Sequence, residues 1–252
     1  MDITLSLMGF LLGLCVGLTS MGGGALMAPF LILVVGARPA VAVGTDLAYG
    51  AITKIFGACV HWRQQTVDIQ VVKTLAFGSL PGGVLGALCL PLLGMTGYDM
   101  DFVIKRAIGI VLVLVGVALF VRFAADRIGT VQASFPRLQG TGTIVFAAMV
   151  GFAVGLTSIG SGSLLTPFLL MVYPLSASQV VGTDLFHAAI LVTVTALVHV
   201  GGGTVDWALM PPLLLGSIPG VLLGSWLAPR VPAPVLRFSL ASVLLASGLK
   251  LI

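Results

Sequence analysis

The sequence predicts an all-α, polytopic membrane protein built from two homologous helical repeats. Three observations carry that prediction: an apolar composition with few charges, an internal duplication, and apolar segments of membrane-spanning length in the same order in both copies. Of 252 residues, 58% are hydrophobic and 8% charged, with a mean hydropathy of +1.18. Soluble domains carry roughly 25% charged residues, so this chain cannot cover a water-facing surface. The net charge of +4 is scattered, the pattern of basic cytoplasmic loops and not of a nucleic-acid patch.

The duplication aligns residues 17–91 with 155–229 without a gap, and roughly 30 of about 75 positions are identical. GLTSMGGGALMAPFL at 17–31 answers GLTSIGSGSLLTPFL at 155–169, and VGTDL recurs at 43–47 and 181–185. VH at 60–61 returns at 198–199, TVD at 66–68 returns at 204–206, and SLPGG at 79–83 answers SIPGV at 217–221. Residues 1–123 form the first membrane repeat and 141–252 the second. The polar stretch 124–140, with Asp126, Arg127 and Arg137, reads as a cytoplasmic linker.

In order, the first repeat offers apolar segments at 3–36, 41–62, 69–95 and 102–123, and the second at 141–173, 180–200, 207–228 and 233–252. A single span takes about 20 residues, so the first segment of each repeat is too long for one. It is also interrupted by Gly22, Gly23, Gly24 and Pro29, or by Gly160, Gly162 and Pro167. Each first segment is therefore expected as a broken helix or re-entrant hairpin, two helices meeting at a loop within the membrane. The second segments carry the ionisable residues. The third carry Pro81 and Pro219, read as kinks. Trp62, Trp207 and Trp226 fit interfacial anchoring. The start of the chain lacks a basic leader and is expected to be retained structure. Cys15, Cys59 and Cys89 are expected as small buried apolar residues. An odd number of crossings per half would gather Arg63, Lys73, Arg122, Arg127, Arg137, Arg230 and Arg237 on one side. The positive-inside rule then favours inverted repeats with both termini outside.

Matching Gly/Pro interruptions in two repeats are the best sequence pointer to a transporter's binding site. A glycine loop before a new helix offers backbone N–H groups at the positive end of a helix dipole, suited to an anion. The candidate substrate-binding residues are Thr19, Ser20, Gly22, Gly23, Gly24, Thr157, Ser158, Gly160, Ser161 and Gly162. Close helix packing is the bland alternative for the glycines. Thr45, Asp46, Lys54 and His61 in one half, and Thr183, Asp184, His187 and His199 in the other, are candidates for coupling or for lining the pathway. Two readings stay open for Asp46 and Asp184, as coupling groups or as helix caps. Lys54 could neutralise Asp46, attract the anion or snorkel to a headgroup. His61 and His199 could be interfacial struts, and His187 could pair with Asp184.

These blocks, together with HWRQQTVD at 61–68 and SLPGGVLGA at 79–87, resemble the TauE/SafE family of sulfite-exporter-like permeases over nearly the whole chain. The resemblance implies a multi-pass permease of the bacterial or archaeal cytoplasmic membrane, an exporter of sulfite, a sulfonate or a related organic anion. Two features depart from the family pattern: the paired acids Asp46 and Asp184, where a hydroxyl residue is common, and Lys54, whose counterpart is Val192. The expected partners are a small anionic substrate, protons as coupling ion and the lipid bilayer, with homo-oligomerisation open and no nucleic acid. No metal site and no cofactor are expected. A passive anion channel would use the same helix ends and is the alternative. A membrane-embedded enzyme is disfavoured, because HExxH, GxSxG, CxxC and a P-loop are all missing.

Overall fold

The computed structural model describes residues 2–20, 22–95, 99–128, 138–230 and 233–252. They form helices and no strand. The first half contains α1 (Asp2–Thr19), α2 (Gly22–Phe30) running on into a π-helical turn at Leu31–Val35, α3 (Pro39–Arg63), α4 (Ile69–Met95) and α5 (Met100–Ile128). The second contains α6 (Thr141–Thr157), α7 (Ser161–Val172), α8 (Ala177–Gly201), α9 (Met210–Leu227) and α10 (Ala233–Leu251). Among the described residues, four helices, α4, α5, α8 and α9, are long and apolar enough to cross a membrane. Of the expected linker, residues 124–128 are the end of α5, while 129–137 lie outside the described residues.

Local chemistry sets the boundaries. Pro29 has no N–H to give the α2 ladder, and the chain widens into the π turn just after it. That turn stops at Gly36, in the left-handed conformation at φ 78°. Helix α3 starts with Pro39 at its first position, where the missing N–H costs nothing. Its N-cap Arg38 donates from Nε to Asp101 of α5 at 2.9 Å. Helix α8 opens with a capping box between Ser176 and Gln179.

Glycine governs the packing. In α4, a side chain at Gly78, Gly82 or Gly86 would collide with the carbonyl oxygens of Ile144, Ala148 and Phe152 in α6. In α9, Gly216, Gly220 and Gly224 meet Ser6, Phe10 and Leu14 of α1 in the same way. Such four-residue spacing of small residues lets two backbones touch along a common face. Residue numbers rise together in both pairs, so α4 runs parallel to α6 and α9 parallel to α1. Each half's opening hairpin is therefore docked on the other half's α4-type helix. The remaining two pairs are antiparallel: Gly109 of α5 abuts Gly248 and Ile252 of α10, and Gly116 abuts Leu245. In the α3–α8 pair, the turn after α3 reaches the start of α8, and the turn after α8 reaches the start of α3. Asp68 N donates to Thr183 Oγ1 and Asp206 N to Thr45 Oγ1, each at 2.9 Å.

The outer surface is apolar, with Phe77, Leu114, Met149, Leu197 and Leu215 exposed, as a lipid-facing surface requires. Trp62, Trp207 and Trp226 are exposed as well, and Trp226 lies under the Arg230 guanidinium. The cysteines correct the sequence expectation. Cys59 is exposed and Cys15 and Cys89 are half-buried, because all three lie on helix faces that turn at least partly outward. Gly220→Val would press a branched side chain onto the Phe10 carbonyl, a backbone atom that cannot turn aside. A loss of about 1–3 kcal/mol is expected, measured as a lower melting temperature of the purified protein. Gly201→Val, where nothing lies within 4 Å, is the control and should change it little.

Candidate functional site

Both opening hairpins turn at a serine held in the left-handed region, Ser20 at φ 61° and Ser158 at φ 65°. That conformation is costly for a residue with a side chain and persists only where surrounding structure enforces it. Here it occurs twice, at positions related by the repeat. Gly160, at φ 132°, completes the second turn. Gly22, Gly23 and Gly24 open α2, while Ser161 and Gly162 open α7. First-turn N–H groups have no partner within their own helix. The threonines before each break are committed differently: Thr19 and Thr157 donate to the carbonyls of Cys15 and Ala153, both at 2.7 Å.

Two carboxyl groups face these turns from two turns inside long helices. Asp46 and Asp184 each lie about 10 Å along α3 and α8 from the helix start. This overturns the cap reading, since Arg38 and Ser176 hold the cap positions. Ser158 donates to Asp46 Oδ2, and Thr166 of α7 donates to Asp184 Oδ2 at 2.7 Å. Ser20 lies on the side of Asp184, the place that corresponds to Ser158 beside Asp46, but its hydroxyl makes no hydrogen bond there. Lys54 Nζ donates to Ser161 Oγ at 2.7 Å, within electrostatic reach of both carboxyl groups, Asp184 the more strongly. Its 2% exposure removes the snorkelling alternative. Asp46 and Asp184 are 2% and 0% exposed, so the centre is closed to solvent in this conformation. Each still has one oxygen, Oδ1, without a hydrogen-bond partner, as do the hydroxyls of Ser20 and Ser163.

A further layer was only partly legible in the sequence, which singled out His187 but not Tyr49, Ser79 or Ser217. His187 does not pair with Asp184; it meets Ser79 of α4 at 2.7 Å through Nε2. Its counterpart in the first half, Tyr49, lies beside Ser217 of α9. Both pairs are buried. The signal was present: each aromatic residue stands three places after the repeated Asp, and each serine belongs to a repeated Ser-x-Pro-Gly block. Thr45, Thr183, His61 and His199 are elsewhere. The threonines accept the cross-links between α3 and α8 already described. His61 and His199 meet Thr66 and Thr204 through Nδ1, at 2.8 and 3.1 Å, bracing the repeated turns. His199 Nε2 also reaches the Gly155 carbonyl at 3.0 Å.

An open groove of about 600 Å³ runs along the outside of α3 and α8, lined by Ile55, Cys59, Trp62, Arg63, Phe186 and Ile190. It is apolar and separate from the carboxyl centre. Among the described residues no three His, Cys, Asp or Glu side chains could hold a metal ion. Thr166→Val keeps the shape at α7 but removes the hydroxyl that Asp184 accepts. A loss of about 1–3 kcal/mol is expected, read in the denaturation of the purified protein.

Broken hairpins enclosing ionisable groups in an apolar helical body are an arrangement that transporters use, and comparison with known proteins gives the family. The profile of the family described as "Sulfite exporter TauE/SafE" matches residues 5–251. A probable membrane transporter protein of Bacillus subtilis, YjnA, is 46% identical over 255 residues, covering 100% of both chains. A second from that organism, YunE, is 24% identical over 99% of this chain and 97% of its own. A probable membrane transporter protein of Xylella fastidiosa is 26% identical over 89% of this chain and 84% of its own. No solved structure matches. With its repeat, its two broken hairpins and a family match spanning almost its full length, the chain belongs to the TauE/SafE sulfite exporter family of membrane transporters.

Proposed function

We propose that the protein is a secondary carrier of a small anion such as sulfite, a sulfonate or a related organic anion, with protons as the coupling ion. The observation that carries this reading is the convergence of two left-handed serine turns and the start of α7 on one buried group of Asp46, Asp184 and Lys54. Backbone N–H groups and hydroxyls at the helix starts supply partial positive charge, which can hold an anion and release it again. Glycines at the same place let the anion approach the backbone. A carrier is reversible, so export follows when the anion is concentrated inside.

Alternation between two facing states fits a protein of inverted repeats. The antiparallel α3–α8 pair supports that arrangement, since these two helices are the same element in the two halves. In the cytoplasmic membrane of a bacterium or archaeon, the linker at 124–140 would be inside and both termini outside. Arg63, Arg137 and Arg230 would then share the inner side.

Three measurements test the reading. Leu138→Cys should react with a membrane-impermeant thiol reagent only from the cytoplasmic side, and Ile252→Cys only from outside; the reverse pattern overturns the topology. In proteoliposomes, flux of sulfite and methanesulfonate should saturate, and Ser161→Leu should reduce it at least tenfold while the protein still inserts. Unitary currents would mark a channel instead. The double variant Asp46→Asn/Asp184→Asn should flatten the pH dependence of transport more than it weakens anion binding; an unchanged pH profile would leave the two acids structural.

A further inference from the structure

Charge can be counted in the buried centre, because few ionisable groups face it. From α3 come Asp46, Lys54 and Tyr49, and from α8 come Asp184 and His187. Among the described residues, the turns after α1 and α6 and the helices α4, α7 and α9 present hydroxyls there: Ser20, Ser158, Ser79, Ser161, Thr166 and Ser217. His187 meets a hydroxyl and faces the Lys54 ammonium, so it is counted as neutral, and Tyr49 likewise. That leaves two carboxyl groups against one ammonium. An uncompensated charge so deeply enclosed is expensive, so the empty centre is balanced when the two carboxyl groups hold one proton between them.

A monovalent anion entering this centre adds one negative charge. The Lys54 ammonium can compensate it only if neither carboxyl group keeps its charge, and that requires a second proton. The place for it exists. Asp46 and Asp184 each have one oxygen hydrogen-bonded by a hydroxyl and one, Oδ1, that is buried and unpartnered. With both acids protonated and Lys54 facing the anion, the loaded centre is again neutral.

From this juxtaposition of Asp46, Asp184 and Lys54 we infer that each monovalent anion moves together with one proton, in an electroneutral step, with Lys54 as the anion's counter-charge. The inference rests on the carrier reading and names its stoichiometry and its charged ligand. The proton comes from the solution on the side of entry, resides on Asp46 or Asp184 and leaves on the side of exit. The opposite arrangement, a proton exchanged for the anion, would leave the loaded centre with two uncompensated negative charges.

The same count gives a non-additive set of expectations. Either Asp46→Asn or Asp184→Asn leaves one carboxyl group and one ammonium, which are balanced without a proton when empty and need one when loaded. Each single variant therefore still takes up about one proton per anion. The double variant leaves Lys54 alone and takes up none. Lys54→Met leaves no compensation for the anion, and binding falls by at least an order of magnitude. His187→Gln leaves the proton count unchanged.

The experiment is calorimetric titration of the full-length purified protein with methanesulfonate, whose single charge is fixed over the working pH range. Repeating it in buffers of different ionisation enthalpy gives the protons taken up on binding. About one is expected for the wild type and for each single Asn variant, and none for the double variant. In proteoliposomes under a potassium–valinomycin clamp, wild-type methanesulfonate flux should be insensitive to voltage and should acidify the receiving lumen. Binding without proton uptake, or voltage-driven flux in the wild type, overturns the stoichiometry while the carrier stands. Full binding by Lys54→Met overturns the assigned counter-charge, and loss of proton uptake in His187→Gln moves the proton to that histidine. If neither methanesulfonate nor sulfite binds or moves, the anion-carrier reading falls and this inference falls with it.

Discussion

Everything in this molecule depends on backbone-to-backbone contact between helices whose facing residues are glycine. Lipid gives no hydrophobic drive for helices to associate, so close packing must supply the attraction. The stripes on α4 and α9 do so with no side chain between the helices for three successive turns. Their consequence reaches beyond stability. Each stripe holds a broken hairpin from the other half, and so fixes where that hairpin turns. Ser158 arrives at Asp46, and Ser20 at Asp184, because α6 is fastened to α4 and α1 to α9. The two halves are interlaced, not set side by side.

Within this repeated frame, several differences between the halves meet at the centre. Ser161 and Thr166 line the second hairpin where the first has Gly23 and Ala28, and Lys54 stands opposite in the alignment to Val192. These residues bond with one another: Lys54 to Ser161, and Thr166 to Asp184. At the periphery the halves remain equivalent. The Thr45–Asp206 and Thr183–Asp68 links have equal lengths, and the two histidine braces match in kind. Duplicated parts build the scaffold, and three or four unduplicated side chains give the centre its single ammonium and its handed set of hydroxyls.

Much of this was legible in the sequence, and the limits have a physical cause. A duplicated Gly/Pro interruption can be read from one chain because it is local, as can an acid within an apolar segment. What a helix face touches is not local. Asp46 looked as much like a cap as a buried group until the starts of α3 and α8 were seen two turns earlier, at Pro39 and Ala177. His187 stands three residues after Asp184, a spacing that suggests a pair on one helix, yet its partner Ser79 lies more than a hundred positions away. Lys54 follows the same logic. Nothing in α3 indicates that its amine ends at Ser161, since that depends on where α7 is carried by α6. The repeated threonines and terminal histidines could be noticed but not distinguished from pathway residues, because bracing a turn and lining a path use the same side chains.

The interlacing carries a consequence for cutting the chain. A single half, made alone, would expose a glycine stripe along its α4-type helix and a hairpin with nothing to dock on. A chain divided between its halves would have to recover both dockings at once before either hairpin turn reached its carboxyl group. The join between the halves also lets them differ, so that one half's lysine can face the other half's serine.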